Sequence, residues 1–283
     1  MLTFTTKEAL KNHLEPLQNE GNKIGFVPTM GALHVGHISL VERSIAENSL
    51  TVVSIFVNPT QFNNAEDLEN YPRTIEQDKE LLGKTSNKII VFCPTPNNLY
   101  NNNITSLHFN FGAIESVMEG KYRPGHFNGV GTVLTHLFNA VNPNKAYFGE
   151  KDYQQLQVVK KLVEINKSAI NIVGCDIYRE QNGLAYSSRN KRLTESTKKQ
   201  AAVIYKTLNK TKEMFGTNSA IQIKDFVASV FKNEANFELE YFEIADSITL
   251  DSTQPIDHSK KYRAFIAVFA PDNVRLIDNI ALN

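Results

Sequence analysis

Through its first two thirds the chain alternates short, continuous apolar runs with longer stretches in which apolar residues return every three or four positions. The first kind reads as buried strand and the second as amphipathic helix. Strands are expected over residues 24–28, 51–57, 88–92, 146–148 and 169–173, and a further one over 107–111. Helices are expected over 6–20, 38–48, 74–82, 129–141 and 153–166. Pro16 lies inside the first helix and is expected to shorten or kink it. Strand–helix alternation of this kind predicts an α/β fold, a Rossmann-like doubly wound parallel sheet. In such sheets ligands sit beyond the carboxyl ends of the strands.

From about Asp176 the pattern changes. Helical spacing covers 194–215 and 221–232, then strand-like runs fall at 239–245, 262–270 and 274–277, with a turn at Pro271-Asp272-Asn273. This predicts an antiparallel meander with helices. The expected division is a Rossmann-like domain over 1–176 and a smaller α+β lid domain over 177–283.

Composition narrows the function classes. The 283 residues are 41% hydrophobic and 21% charged, and 30 basic residues balance 30 acidic ones. That excludes the basic footprint of a nucleic-acid binder. No stretch is long and apolar enough to span a bilayer, and no secretory signal pattern opens the chain, so a cytoplasmic protein is expected. Cys93 and Cys175 both sit beside apolar runs, which favours two buried thiols over a disulfide.

The candidate chemistry lies at strand ends. Residues 28–37, Pro-Thr-Met-Gly-Ala-Leu-His-Val-Gly-His, join a strand to a helix. Glycines there let backbone approach a ligand, and a helix start favours phosphate. The plain alternatives for His34 and His37 are packing at a helix start, or half of a zinc site. Zinc is disfavoured because the cysteines are lone. Gly149, Glu150, Lys151 and Asp152 form a second strand-to-helix turn, where lysine suits phosphate as a point charge. An ordinary surface turn is the alternative. Tyr186, Ser187, Ser188 and Arg189 open a polar loop that could clamp a triphosphate through charge-assisted hydrogen bonds. Alone, it reads equally as a solvated loop. Gln61 and Gln155 are amides suited to hydroxyl and carboxylate groups.

Taken together, these pieces resemble the pantoate–β-alanine ligase family. The matching segments are 28–37, 58–62, 71–73, 123–127, 149–155 and 187–190. The His-x-Gly-His turn alone indicates only the wider nucleotidyltransferase superfamily; its combination with 149–155 is more specific. The resemblance implies a pantoyl adenylate made from pantoate and ATP, then aminolysis by β-alanine, with nucleotide and pantoate bound by the 1–176 domain. It implies that Met30, Gly31, Ala32, Leu33, His34, Val35, Gly36 and His37 line the ATP site. His34 and His37 would stabilise the α-phosphoryl transition state, and Lys151 would bridge phosphates. Gly149, Glu150 and Asp152 would complete that side, with Asp152 holding the ribose or orienting Lys151. Ser187, Ser188 and Arg189 would clamp the outer phosphates, and Gln61 and Gln155 would grip pantoate. Mg2+ would bridge phosphates, with Asp78 as a candidate near the ion. Glu119 and Arg123 would shape a lid loop, and the protein would be a homodimer.

Two positions depart from the family pattern: Tyr186, usually methionine, and Tyr178, usually a small aliphatic beside adenine. Two competing functions are nucleotidyl transfer to a phosphorylated cofactor precursor and a non-catalytic nucleotide-binding module. The amides of Gln61 and Gln155 suit an uncharged polyol end better than a phosphate acceptor.

Overall fold

Register explains why the apolar runs are strands. Phe26, Val52 and Ile90 stand side by side across three strands, as do Val27, Val53 and Val91. Because successive side chains alternate between faces, each row points into a different layer. The computed structural model describes residues 1–62, 65–271 and 274–283. Its larger sheet contains β1 (Leu2–Phe4), β2 (Ile24–Thr29), β3 (Leu50–Ile55), β4 (Ile89–Phe92), β5 (Lys145–Gly149) and β6 (Asn171–Cys175). All pair in parallel, in the order β1-β4-β3-β2-β5-β6.

The accompanying helices are α1 (Lys7–Asn19), α2 (Val35–Glu47), α3 (Ala65–Glu69), α4 (Ile75–Thr85), α5 (Pro96–Tyr100), α6 (Met118–Tyr122), α7 (His126–Val141) and α8 (Tyr153–Ile165). Leu40 and Val41 of α2 and Leu82 of α4 pack on the Val27–Val53–Val91 row. On the other face Phe138 of α7 meets Phe26 edge-on at 6.2 Å between ring centroids. Gly25 permits the approach of α2, since a Cβ there would lie 2.1 Å from Ser44 Oγ. Pro16 sits inside α1, which nevertheless runs from its Thr6 cap to Asn19.

Two expectations need correction. Residues 107–111 are not a strand: the N–H of Leu107 donates to Thr132 Oγ1 at 2.8 Å and that of Phe109 to Asn128 Oδ1 at 2.9 Å. The segment's donors are thus satisfied by α7 side chains instead of a ladder. The helix expected over 194–215 is two, α9 (Glu195–Gln200) and α10 (Ala202–Met214), separated at buried Ala201, where ψ relaxes to −11°. The short elements β1 and α5 were too brief to leave a periodic signal.

The smaller sheet is an antiparallel meander of β7 (Glu238–Asp246), β8 (Tyr262–Ala270) and β9 (Val274–Ala281). Asp272 and Asn273 of the expected turn lie outside the described residues. Ile204 and Leu208 of α10 and Ile223 and Val227 of α11 (Ala220–Asn233) cover one sheet face, formed by Phe242, Ile244, Ile266 and Val268. The other face carries Ala245 and Phe265, packed with Ile114, Val117, Met118 and Tyr153. This explains the two compact units of the chain. The first contains Met1–Phe111, Gly120–Glu150 and Gln155–Asp176; the second contains Gly112–Glu119, Lys151–Gln154 and Ile177–Asn283. A single cut at residue 176 therefore omits two segments that the small sheet recruits to cover its second face. Glu119, expected in a lid loop, is buried there: Arg275 donates to its two oxygens at 2.6 and 2.8 Å, and Tyr241 OH to one of them at 2.8 Å.

One surface cluster ties α2 to β5. Glu47 accepts from Arg43 Nε at 2.8 Å, Lys145 Nζ at 2.9 Å and Tyr147 OH at 3.0 Å. The hydrogen bond from Arg43, then those from Lys145 and Tyr147, hold its carboxyl down at about 2. A depressed carboxyl adds stability above its unfolded value, and that stability is lost as pH falls through the folded one. Glu47→Gln should therefore lower the urea midpoint near neutral pH by about 1 kcal/mol or less in stability. The gap from the parent protein should close as pH falls from about 4.5 to about 2. A gap independent of pH over that window would contradict this role.

Candidate active site

Strand order in the larger sheet reverses at β2: β3 and β4 lie on one side of it, β5 and β6 on the other. The carboxyl ends of β2 and β5 therefore flank the topological switch point, where open α/β sheets bind ligands. β2 delivers Met30 to His34 and the start of α2; β5 delivers Gly149 and Glu150.

The turn after β2 is held by internal hydrogen bonds. Gly31 and Ala32 have φ of +81° and +50°, a left-handed pair that costs little at glycine but is strained at alanine. The strain is offset locally. Thr29 Oγ1 accepts the N–H of Gly31 at 3.2 Å. Asp78, only 2% exposed, accepts those of Ala32 at 3.0 Å and Leu33 at 2.7 Å. Thr74 Oγ1 also donates to Asp78, at 3.2 Å. Asp78 is thus a scaffold for the turn: both of its oxygens accept hydrogen bonds from the protein.

The same bonds change how the turn can serve a phosphate. The N–H of His34 donates to His37 Nδ1 at 3.3 Å, so the N–H groups of Gly31, Ala32, Leu33 and His34 are all engaged inside the protein. His37 N–H is likewise taken, by His34 O at 2.8 Å. What remains exposed is the first turn of α2, with Val35 42% exposed and Gly36 beside it, and the two partly buried imidazoles. The rings lie 4.0 Å apart between centroids, inclined at 34°. With Nδ1 accepting, neutral His37 carries its ring proton on Nε2 as a donor. The backbone of 30–33 gives the site its shape; imidazoles and the helix start give it polarity.

Beyond β3, Asn58 caps the turn Pro59–Gln61. Asn58 Nδ2 donates to Gln61 Oε1 at 3.0 Å, and Tyr100 OH donates to Asn58 Oδ1 at 2.5 Å. This fixes which end of the Gln61 amide is the donor. Gln61 Nε2 rests 3.0 Å from Met30 Sδ, a weak acceptor that any substrate oxygen would displace. His126 supports the same turn. Arg123 has only donors, so it donates to His126 Nε2 at 3.2 Å, and Nδ1–H then donates to Gln61 O at 2.9 Å. Gly129 of α7 lets this occur, because a Cβ there would sit 2.1 Å from Thr60 O. Gln155 lies in the first turns of α8, partly buried. Cys93 and Cys175 are free and buried, and burial pushes both thiols up to about 11. Neither is a ready nucleophile.

In the second unit, residues 178–186 fold back on themselves. Tyr186 N–H donates to Tyr178 O at 2.9 Å, and the two rings meet edge-on at 5.6 Å. Ser187 then caps the short turn Ser188–Arg192, its Oγ accepting from Arg189 N–H at 3.3 Å. Asn190 anchors that turn through Glu180 Oε1 at 2.9 Å and Ala185 O at 3.1 Å. The two tyrosines that depart from the family pattern thus form one pair beside the Ser-Ser-Arg turn. Lys151 is 18% exposed, with its ammonium 3.5 Å from Asp152 Oδ1.

Comparison with known proteins adds a match, over residues 2–281, to the family described as pantoate-beta-alanine ligase. The chain belongs to this family. It is 52% identical over 283 residues to a protein named pantothenate synthetase from Christiangramia forsetii, covering all of both chains. It is 53% identical over 282 residues to one from Flavobacterium psychrophilum, again across both chains. A solved pantothenate synthetase from Thermus thermophilus superposes with a TM-score of 0.90 at 38% identity, over 100% of this chain and 99% of that one. A Francisella tularensis pantoate-beta-alanine ligase, solved with beta-gamma ATP and beta-alanine, gives 0.79 at 34% identity over 100% and 98%.

For a pantoate–β-alanine ligase, the structure gathers the 30–37 turn, Gln61, Gly149 and Glu150 on elements that end at one sheet edge. Sequence reading assigned no role to Tyr100 or His126 as supports of Gln61, and none to Asp78 as a support of the turn after β2. The only cue was an acidic residue in the first turn of α4, a pattern shared by most helices.

Two substitutions separate these roles. Asp78→Ala strips two charge-assisted backbone bonds and leaves Ala32 strained, so stability should fall by about 2–4 kcal/mol. ATP affinity should fall with it, as read by denaturation and calorimetry; a stable variant with parent affinity would contradict the scaffold role. Gly129→Ala should perturb the Gln61 turn and raise the KM for pantoate, whereas an unchanged KM would show that α7 yields without moving Gln61.

Proposed function

We infer that this chain condenses pantoate with β-alanine to give pantothenate, cleaving ATP to AMP and pyrophosphate. The observation that carries this reading is membership of the family across residues 2–281. The polar groups at the sheet's switch point agree with it. In the first step a pantoate carboxylate oxygen bonds to the α-phosphorus, and the bond from that phosphorus to the bridging oxygen breaks, releasing pyrophosphate. In the second, the β-alanine nitrogen bonds to the acyl carbon, AMP leaves with the former carboxylate oxygen, and the amine loses a proton. Neither step needs a protein nucleophile. Both need anions aligned and charge neutralised.

Residue roles are assigned on that chemistry. His34 and His37 donate to phosphate oxygens as charge develops, supported by their stacked placement at the start of α2. The turn from Met30 through Gly36, with Gly149 and Glu150, shapes the nucleotide site. Lys151 supplies a point charge to the phosphates, with Asp152 beside it. Ser187, Ser188 and Arg189 contact the outer phosphates, and Tyr178 and Tyr186 flank the adenine. Gln61 and Gln155 hold pantoate, with the donor end of Gln61 already oriented by Asn58.

No group of three or more His, Cys, Asp or Glu side chains suited to hold a metal occurs among the described residues. Mg2+ needs no such cluster: it would enter with the substrate, on ATP phosphates, keeping most of its waters. No described helix is long and apolar enough to cross a membrane. A cytoplasmic homodimer is the proposed working form, supported by the family resemblance and by two free thiols.

Pantoate-dependent exchange of labelled pyrophosphate into ATP, without β-alanine, tests the adenylate directly. His37→Ala and Lys151→Ala should each lower that exchange roughly a hundredfold or more with the circular-dichroism spectrum unchanged. Near-parent exchange in either variant would remove that residue from the mechanism. Exchange that requires a phosphorylated acceptor instead of pantoate would favour the nucleotidyltransferase reading.

A further inference from the structure

Lys151 needs a fixed direction, and its own side chain does not supply one. Its ammonium contact with Asp152 is 3.5 Å long and Asp152 is 50% exposed, too long and too wet to hold a flexible stem. Its backbone is held far more firmly. Asn279 Nδ2 donates to the carbonyl of Lys151 at 2.9 Å. Asn279 is 1% exposed, on the inner face of β9 opposite Phe265. Its Oδ1 accepts from Arg263 NH1, so the amide has one orientation and its NH2 must face Lys151. Arg263, 8% exposed, places its guanidinium carbon over the Tyr153 ring, 4.0 Å from the centroid. The N–H of Asn279 is fixed in turn by Asp278 Oδ1 at 2.8 Å, and Arg179 grips Asp278 through two bonds of 2.6 and 2.9 Å.

The far end of the same short segment is pinned as well. Gln154, 4% exposed, donates to Ile114 O at 2.7 Å and Val117 O at 2.8 Å, and accepts from Glu119 N–H at 2.9 Å. Burying a guanidinium and an amide on a face that otherwise packs Phe265 and Ala245 is costly. Apolar residues would cover the sheet at less cost. The polar pair makes sense if the position of the Lys151 backbone matters.

We propose that Asn279 and Arg263 are positioning residues that act on the reaction through Lys151, clamping its carbonyl and the following Tyr153 ring so that the ammonium is aimed at the phosphates. This rests on the assignment of Lys151 to phosphate binding. Asn279→Asp isolates the contact: it keeps an acceptor for Arg263 at the same volume, but turns a second acceptor toward the Lys151 carbonyl. The variant should melt lower than the parent, having lost a buried hydrogen bond, but stay folded at the assay temperature, while kcat for pantoate-dependent pyrophosphate exchange falls at least about tenfold, since small misplacements of a catalytic charge are expensive. The KM for pantoate should not change. Asn279→Asp combined with Lys151→Ala should be no slower than Lys151→Ala alone.

Parent-like exchange in Asn279→Asp beside a slow Lys151→Ala would overturn the proposal while sparing the role of Lys151. Multiplied losses in the double variant would also overturn it, by showing that Asn279 acts elsewhere. Parent-like exchange in Lys151→Ala would overturn both readings. If Asn279→Asp is unfolded at the assay temperature, Arg263→Lys, which keeps the charge but loses the guanidinium over the Tyr153 ring, takes its place in the same comparison with the same outcomes.

Discussion

One buried carboxylate shapes the start of α2. Asp78 takes the N–H groups of Ala32 and Leu33, and with them holds a backbone that alanine would not adopt by itself. A negative charge under an anion site looks counterproductive. Yet its charge is spent on those N–H groups and on Thr74, and the result is a rigid bend that presents the helix start outward. The bend also explains the two histidines. With the N–H groups of 31–34 already engaged, the donors this turn has left are side chains and the first turn of α2, which is where the proposed phosphate contacts fall.

The chemistry imposes the same requirement. A carboxylate must approach a phosphorus surrounded by negative oxygens, and no covalent enzyme intermediate assists. Both thiols are buried and pushed up to about 11, which removes the obvious nucleophiles. What remains is a set of donors and cations with little freedom: imidazoles stacked at 4.0 Å, an amide oriented by Asn58, and a lysine whose backbone is fixed by Asn279. The amide and the lysine backbone are each held by a side chain that is itself buried, which limits the reorganisation needed when charge develops. The ion-paired Arg275 follows the same rule: burial opposes its charge, but Glu119 and Glu240 outweigh that and hold the guanidinium well above its ordinary value. The segment carrying Glu119 is thereby locked to the small sheet.

Strand and helix positions in the first two thirds were legible because burial writes them as period: a Val-rich run for β3, three-and-four spacing for α7. The 107–111 segment misled because Phe109 and Phe111 are buried against α7, which no local pattern distinguishes from burial in a sheet. Candidate chemistry stood out where polar residues cluster in sequence, at 30–37, 149–152 and 186–189. It was illegible where one residue supports another from a distance. Asp78 lies 46 positions from Ala32, and Asn279 lies 128 from Lys151. Single polar residues in a helix or strand look like surface until the fold shows them buried. The recruitment of 112–119 and 151–154 by the small sheet was hidden for the same reason.

The account stands on carboxylate attack at the α-phosphorus, and isotope tracing reports that bond directly. Pantoate carrying 18O in both carboxylate oxygens should transfer one label to AMP and keep the other in the pantothenate amide carbonyl, with pyrophosphate unlabelled. Unlabelled AMP with 18O in a phosphate or pyrophosphate product would place the attack on another phosphorus and contradict the adenylate mechanism.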